Sequence, residues 1–465
     1  MNNLLKAMGF WIWGLIAIAL SVSMVSVSYK LVSLYRAHDA TADAISSTAP
    51  ASPAFTGISS SREKAPSAVP LDAQGLRPAQ VSRAIGGEMR AAQKAMDGLQ
   101  WSEALKDLDA AAAQAPHSAY DLKTIDEFRG IAYVRLNNLK AAQAAYEAAV
   151  STGAYKAEEL AKVFRLLFQL AATNKDAARA IDYGKQALDA GLMQPNDLLV
   201  MSQLYYQQKD CRNSAVWGDQ AIAAFKQAGE APKEVLYQLK LQCAGDGNDT
   251  DGMKAALYAL IRLTHKTSYW NNLLRLERQD ERDDRNTLMI YRVMYDTRSM
   301  NADTDYIEMA QLLGDAGLAG EAVAVLQRAI FSEIVKEEHK ERTMRLLAAL
   351  QTRADVDMNG LPALAAETRG NPLPQRELTL GETYFGAGDY RNAIYALGLS
   401  TMTNQLTRPE EAFVYLGRAF MARNQPGDAK EAFGELRKIP NINLRVLKLW
   451  DLYADTIPAV ASASL

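Results

Sequence analysis

The chain offers few residues whose type and spacing could carry chemistry. Cys211 and Cys243 are its only cysteines, and no C-x-x-C is present. That argues against a redox motif or a zinc knuckle and leaves two readings, a disulfide or two separate thiols. The four histidines, His38, His117, His265 and His339, are far apart, and none forms a metal-spaced pair. Asp246-Gly247-Asn248-Asp249-Thr250-Asp251-Gly252 invites a calcium reading. An EF-hand loop starting at Asp246 would need Gly at 251 and Glu at 257, where the chain has Asp251 and Leu257. A loop between helices, with Asp249 or Thr250 as N-cap, fits those residues better. The run from Arg275 to Arg285 alternates acids and bases, as expected for a solvated helix face with i,i+4 pairs. No phosphate-binding loop, H-E-x-x-H or G-x-S-x-G occurs. The expectation is therefore a protein that is not an enzyme, with no catalytic residue, no metal and no cofactor. The rival is an enzyme with a polar pocket hidden between about Asp249 and Met300.

The elements that would have to position such groups are helices. From about Val81 the chain carries Ala and Leu at helical spacing and little β-branched alternation. Small residues punctuate it at intervals of roughly 34 to 40 residues, the signature of stacked repeats. Leu380-Gly381 is followed by Tyr384, Ala393 and Leu397. Leu416-Gly417 is followed at the same spacings by Phe420, Ala429 and Phe433. Gly130, Tyr133, Ala142, Tyr146 and Ala149 keep this frame, as do Ala310, Leu313, Ala322, Leu326 and Ala329. Looser copies lie around Ala180/Ala187 and Tyr205/Ser214/Ala221, and a unit before Gly130 shows Ala104, Leu108, Ala111 and Pro116. Between about Asp249 and Met300 helices are legible but the frame is not.

The signature resembles the tetratricopeptide repeat (TPR), in which each unit is two antiparallel helices. The resemblance implies an all-α fold: an α-solenoid of roughly eight or nine TPR-like helical hairpins. In this frame Cys211 begins the second helix of one unit and Cys243 ends the first helix of the next, so the two thiols could share an edge. The concave face belongs to the first helix of each pair. Its expected groove positions are Tyr206, Glu382, Phe385, Arg418 and Met421, with packing against a neighbouring helix as the other reading of the aromatics.

The chain of 465 residues has 51 Lys and Arg against 54 Asp and Glu, which argues against nucleic acid as a partner. Residues 1–38 contain no charge between Lys6 and Lys30, with Trp11, Trp13 and Tyr29 near the ends of the apolar run. This predicts an N-terminal transmembrane helix, with the bulk of the chain exported. The alternative is a signal peptide cut after Ala17-Ile18-Ala19, which leaves a soluble exported protein. Residues 39–78 are Ala/Ser/Pro-rich and read as a disordered linker. The solenoid is expected over 79–454 and a flexible tail over 455–465.

A narrower resemblance runs from about Asp197 to Asp455, to exported TPR proteins that accompany TonB–ExbB–ExbD energy-transducing systems in Gram-negative bacteria. Its residues are Tyr237-Gln238-Leu239, Tyr269-Trp270-x-x-Leu273, the Leu313/Ala322/Leu326 unit, the two C-terminal units, and a closing helix with Leu449-Trp450-Asp451-Leu452-Tyr453. It implies a scaffold tethered to the bacterial inner membrane with its bulk in the periplasm, or soluble there after signal cleavage, that binds helical or extended protein segments and assists TonB-dependent transport, with the ExbB/ExbD/TonB complex as partner. The alternative is an assembly factor of a pilus, secretion or exopolysaccharide machine.

Overall fold

A small-residue frame at this period makes helices that cannot bury an apolar face alone, so each must stack on its neighbours. The computed structural model of the chain describes residues 81–114, 117–402 and 405–458. The expected anchor, the linker and Pro116 lie outside the described residues, as does most of the expected tail. Among the described residues there are twenty α-helices and one 3-10 turn, and no helix is long and apolar enough to cross a membrane.

The chain divides into two units, 1–232 and 233–465. Unit 1 holds α1 (Gly86–Asp97), α2 (Trp101–Ala112), α3 (Ala119–Arg135), α4 (Leu139–Ser151), α5 (Ala157–Thr173), α6 (Ala177–Asp189), α7 (Pro195–Gln207) and α8 (Cys211–Gln227). These pair consecutively into four hairpins. Unit 2 opens with α9 (Glu234–Asp246), α10 (Thr250–Thr264), α11 (Thr267–Gln279), α12 (Asp284–Asp296), α13 (Asp303–Asp315) and α14 (Ala319–Phe331). A single long helix follows, α15 (Glu337–Gly370). The unit ends with α16 (Pro374–Gly386), α17 (Tyr390–Ser400), α18 (Pro409–Ala422), α19 (Pro426–Glu435), a 3-10 turn (Leu436–Lys438) and α20 (Leu444–Thr456).

One turn type recurs between the two helices of a hairpin. The first helix ends with a residue at positive φ, and an Asn or Asp follows as cap of the second helix. Asn137 (φ 57) precedes Asn138, Lys175 (φ 63) precedes Asp176, Lys209 (φ 62) precedes Asp210, and Asn248 (φ 53) precedes Asp249. Each cap side chain accepts a hydrogen bond from a backbone N–H three residues on, satisfying a donor the helix leaves open. This places the Asp246–Gly252 loop: Asp249 caps α10 and accepts from the Gly252 N–H at 2.9 Å.

The glycines of the frame set how closely the paired helices approach. A Cβ on Gly130 would sit 2.5 Å from the Tyr146 ring, and one on Gly381 would sit 2.6 Å from Leu397. On Gly417 it would strike Phe433. Large second-helix side chains therefore pack straight onto first-helix backbone.

Three expectations change on the structure. The Arg275–Arg285 run is not one solvated face. It crosses from the last turn of α11 to the start of α12, and Glu277 is buried because Lys254 (3.2 Å) and Arg445 (3.1 Å) reach it from other helices. The tail does not begin at Asp455. α20 runs through Thr456, Asp455 pairs with Arg262 at 3.2 Å, and Ile457 is buried in the core. Finally, α15 spans 34 residues where the frame would place a hairpin.

Unit 2 also closes on itself. α20 packs against α10 and α12 as well as against its neighbour α19. Trp450 is fully buried and stacks on Phe433 at 5.0 Å, within one apolar cluster that runs from Leu257 to Ile457. Arg445 of α20 reaches Glu281 at 3.0 Å, and Arg285 of α12 reaches Glu411 of α18 at 3.2 Å. The last hairpins thus press against helices more than a hundred residues earlier.

Candidate functional site

The closure brings five polar side chains of α12, α14 and α18 together in the interior of unit 2. Arg292 (1% exposed) donates to Glu321 (5% exposed) at 2.9 Å and to the Tyr415 hydroxyl. Tyr415 donates to Glu321 at 2.5 Å. Arg418, also 5% exposed, bonds Glu321 through one guanidinium nitrogen and Asp296 through another at 2.9 Å. Glu321 thus sits between two arginines. Burial would raise its carboxyl, but Arg292 and Arg418 prevail and hold it at about 2. For Asp296 burial prevails and lifts the carboxyl above its ordinary range, although Arg418 opposes it.

Beside this cluster lies a cavity of about 510 Å³, walled by α12, α14, α15, α16 and α18. Its shape depends on a close crossing. Gly320 at the start of α14 touches the backbone of Gly386 at the end of α16, so that a Cβ on Gly320 would lie 2.7 Å from the Gly386 carbonyl. Five carboxyl groups line the cavity, from Glu321, Asp355, Asp357, Glu382 and Glu411, against two guanidinium groups, Arg285 and Arg292. The two arginines are committed, Arg292 to Glu321 and Arg285 to Glu411. Glu382 is half-buried and lines the cavity. Burial, with Glu411 and Glu321 adding to it, pushes that carboxyl up to about 8 against the opposing pull of Arg292.

The expected groove positions are distributed differently from the sequence reading. Arg418 is not exposed, because α12 and α14 cover the face it occupies. Phe385 is half-buried and packed, edge-on to Tyr415 at 5.0 Å and to Tyr390 at 5.4 Å, with the Arg418 guanidinium 5.0 Å from its ring centre. Met421 is half-buried against the large apolar cluster. Glu382 alone of these four faces the cavity. Tyr206, half-buried near the end of α7, belongs to unit 1. Cys211 is the first residue of α8 in unit 1, and Cys243 lies in the last turn of α9 in unit 2.

Sequence reasoning missed Arg292, Glu321, Tyr415 and Asp296. The available signal was a charged residue on an apolar stripe. Glu321 stands beside the frame residue Ala322, and Arg292 lies within Leu288-Met289-Ile290-Tyr291-Arg292-Val293-Met294. A charge there must be paired if the helix is to be buried.

Neighbouring first helices are also stitched by polar pairs. Arg165 of α5 meets Asp197 of α7 at 2.7 Å, and His339 of α15 meets Asp303 of α13 at 2.7 Å. Glu234 of α9 accepts from Lys266 at 2.7 Å and from Tyr269 of α11 at 2.5 Å, while Gln238 donates to the same Tyr269 hydroxyl at 2.8 Å. Among the described residues no group of three or more His, Cys, Asp or Glu could hold a metal ion.

Solved structures similar to the chain include a tetratricopeptide repeat protein from Parabacteroides merdae ATCC 43184 (12% identity, 58% of this chain and 100% of that one, TM-score 0.30). Others are a Naa15/Naa10 complex bound to HypK-THB (14%, 78% and 59%, 0.36) and the P58(IPK) TPR domain (14%, 73% and 98%, 0.21). No protein-family model matches, and no curated protein does. At these TM-scores the repeat assignment rests on the chain's own hairpins, their recurrent caps and their glycine-to-side-chain interlocks. The described chain is an array of TPR-like helical hairpins.

Proposed function

We propose that the protein is a non-enzymatic scaffold that holds protein partners in the bacterial envelope. The observation that carries this reading is the hairpin array with a polar cavity walled by five of its helices. Such a surface offers many groups for recognition of an extended or helical segment. In this reading residues 1–38 anchor the chain in the inner membrane, residues 39–78 tether the array, and the body works in the periplasm. The partner is the ExbB/ExbD/TonB complex, and the task is to assist TonB-dependent transport. The resemblance carried by Tyr237-Gln238-Leu239, Tyr269-Trp270 and the Trp450 helix supports that choice.

Mild crosslinking in membranes followed by capture of the full chain should recover ExbB, ExbD or TonB. Recovery of pilus, secretion or exopolysaccharide components in their place would overturn the TonB assignment and favour the assembly-factor alternative. A reporter fused after residue 40 should be active only outside the cytoplasm; activity inside would remove the periplasmic reading. In an oxidising compartment we further propose a Cys211–Cys243 disulfide. Both thiols should then resist alkylation until a reductant is added, and alkylation without reductant would refute the bond.

A further inference from the structure

The cavity of unit 2 has an imbalance that its own residues do not resolve. Its two cations are spent on Glu321 and Glu411, as the distances above show. Asp355 accepts from Gln351 at 2.9 Å. Glu382 differs: it lines the cavity half-buried, and no described residue donates a hydrogen bond to its carboxyl or pairs with it. A carboxyl in that position calls for a cationic partner or for a proton. Beside it the cavity wall carries Leu288, Val323 and Met358, which suit the methylene stem of a long basic side chain. Its volume of about 510 Å³ lies within the range of pockets that enclose a ligand.

We propose that this cavity seats an arginine or lysine side chain of a partner protein, with Glu382 as the carboxylate that meets the cationic head. The inference rests on the scaffold reading and names the chemistry that this site would recognise. The charged groups facing Glu382 are Arg285 and Arg292 from α12, Glu321 from α14, Asp355 and Asp357 from α15, and Glu411 from α18. With Glu382 pushed up to about 8, seating a cation at pH 7 must expel a proton, so affinity should rise with pH.

The test is calorimetric titration of the full chain with the capped peptide Gly-Gly-Arg-Gly-Gly, with Gly-Gly-Gln-Gly-Gly as control. The arginine peptide should bind and the glutamine peptide should not. Affinity should increase about thirtyfold between pH 6.5 and pH 9 as the carboxyl ionises. Glu382→Gln should weaken binding by at least about tenfold, a loss expected for one buried charge pair. Glu431→Gln, at an exposed position on α19 outside the cavity, should leave binding unchanged. Equal binding of the two peptides, or undiminished binding by Glu382→Gln, would overturn the proposal. So would binding of spermidine without binding of the arginine peptide. The membrane crosslinking experiment reports separately. A Glu382→Gln chain that recovers the same partners as the wild type leaves the scaffold reading standing and removes the cavity from it. Peptide binding with no partner recovered does the reverse.

Discussion

Glu321 carries more of unit 2 than its exposed neighbours on α14 do. It is the shared acceptor of Arg292, Tyr415 and Arg418, so its loss would leave the buried Arg292 guanidinium without an acid partner and Arg418 with Asp296 alone. Removing one member of a buried ion cluster costs about 3–5 kcal/mol, because the others remain buried and uncompensated. Glu321→Ala should therefore lower the urea midpoint of unit 2 sharply, whereas Glu431→Ala, at an exposed position of α19, should move it little. Glu382 acts in the opposite sense. Its carboxyl is held at about 8, well above the ordinary carboxylate range, so the folded chain binds more protons than the unfolded one between those values. Stability from this group then falls as pH rises toward 8. Glu382→Gln removes the group that titrates. Relative to wild type it should be near neutral at pH 5 and stabilising by on the order of 1–2 kcal/mol at pH 8.5, allowing for solvent screening. Melting curves at the two pH values check this, and a gain that does not change with pH would refute the assigned environment.

At the scale of the element, the hairpins follow local rules, and so much of the fold was legible in the sequence. The Leu-Gly-x-x-Tyr and Ala-x-x-x-Leu spacings mark which backbone a large side chain will touch, and both Gly381–Leu397 and Gly417–Phe433 obey them. Asp249 as a helix cap was equally readable, because a cap depends on residues within one turn. The pairing of Glu277 with Arg445 was not, because its two halves lie in helices distant in sequence. Nor was α15, because Asn359-Gly360 and Pro362 read as stop signals that the helix overrides. That helix continues through Pro362, which can donate no backbone hydrogen bond, and exposes Val356 (66%) and Met358 (48%). An exposed interior proline costs a helix about 3 kcal/mol. Pro362→Ala should therefore slow amide hydrogen exchange from Met358 to Gly370 while leaving exchange in α17 as it was.

At the scale of the molecule, the chain divides into two units. Stacked repeats usually rely on contacts between adjacent hairpins. Unit 2 adds contacts between α20 and both α10 and α12, and between α18 and α12. This is why the groove position Arg418 is covered by the chain's own earlier helices, whereas Phe385 packs on Tyr390 and Tyr415 of the helices that follow it, the other reading of the aromatics. The candidate site was illegible for the same reason: Arg292 and Glu321 lie 29 residues apart, but their common partner Tyr415 is 123 residues from Arg292. Trp450 joins the final helix to this closure. Trp450→Ala should cost about 3–5 kcal/mol. The loss should appear in exchange protection of α10 and α12 as well as α20; protection lost in α20 alone would mean that the closure contributes little.

Closure also sets a limit on how this array could change in length. An open stack of repeats tolerates the gain or loss of a hairpin, since each junction resembles the next. Between Arg292 on α12 and Arg418 on α18 the path must return to its starting point, and the single long helix α15 occupies a fixed part of that circuit. Duplicating α16–α17, or deleting it, would leave Glu321 unable to meet both arginines. The number of hairpins in this segment is therefore fixed by geometry, and lineages carrying this protein should vary in the sequence of these hairpins but not in their count.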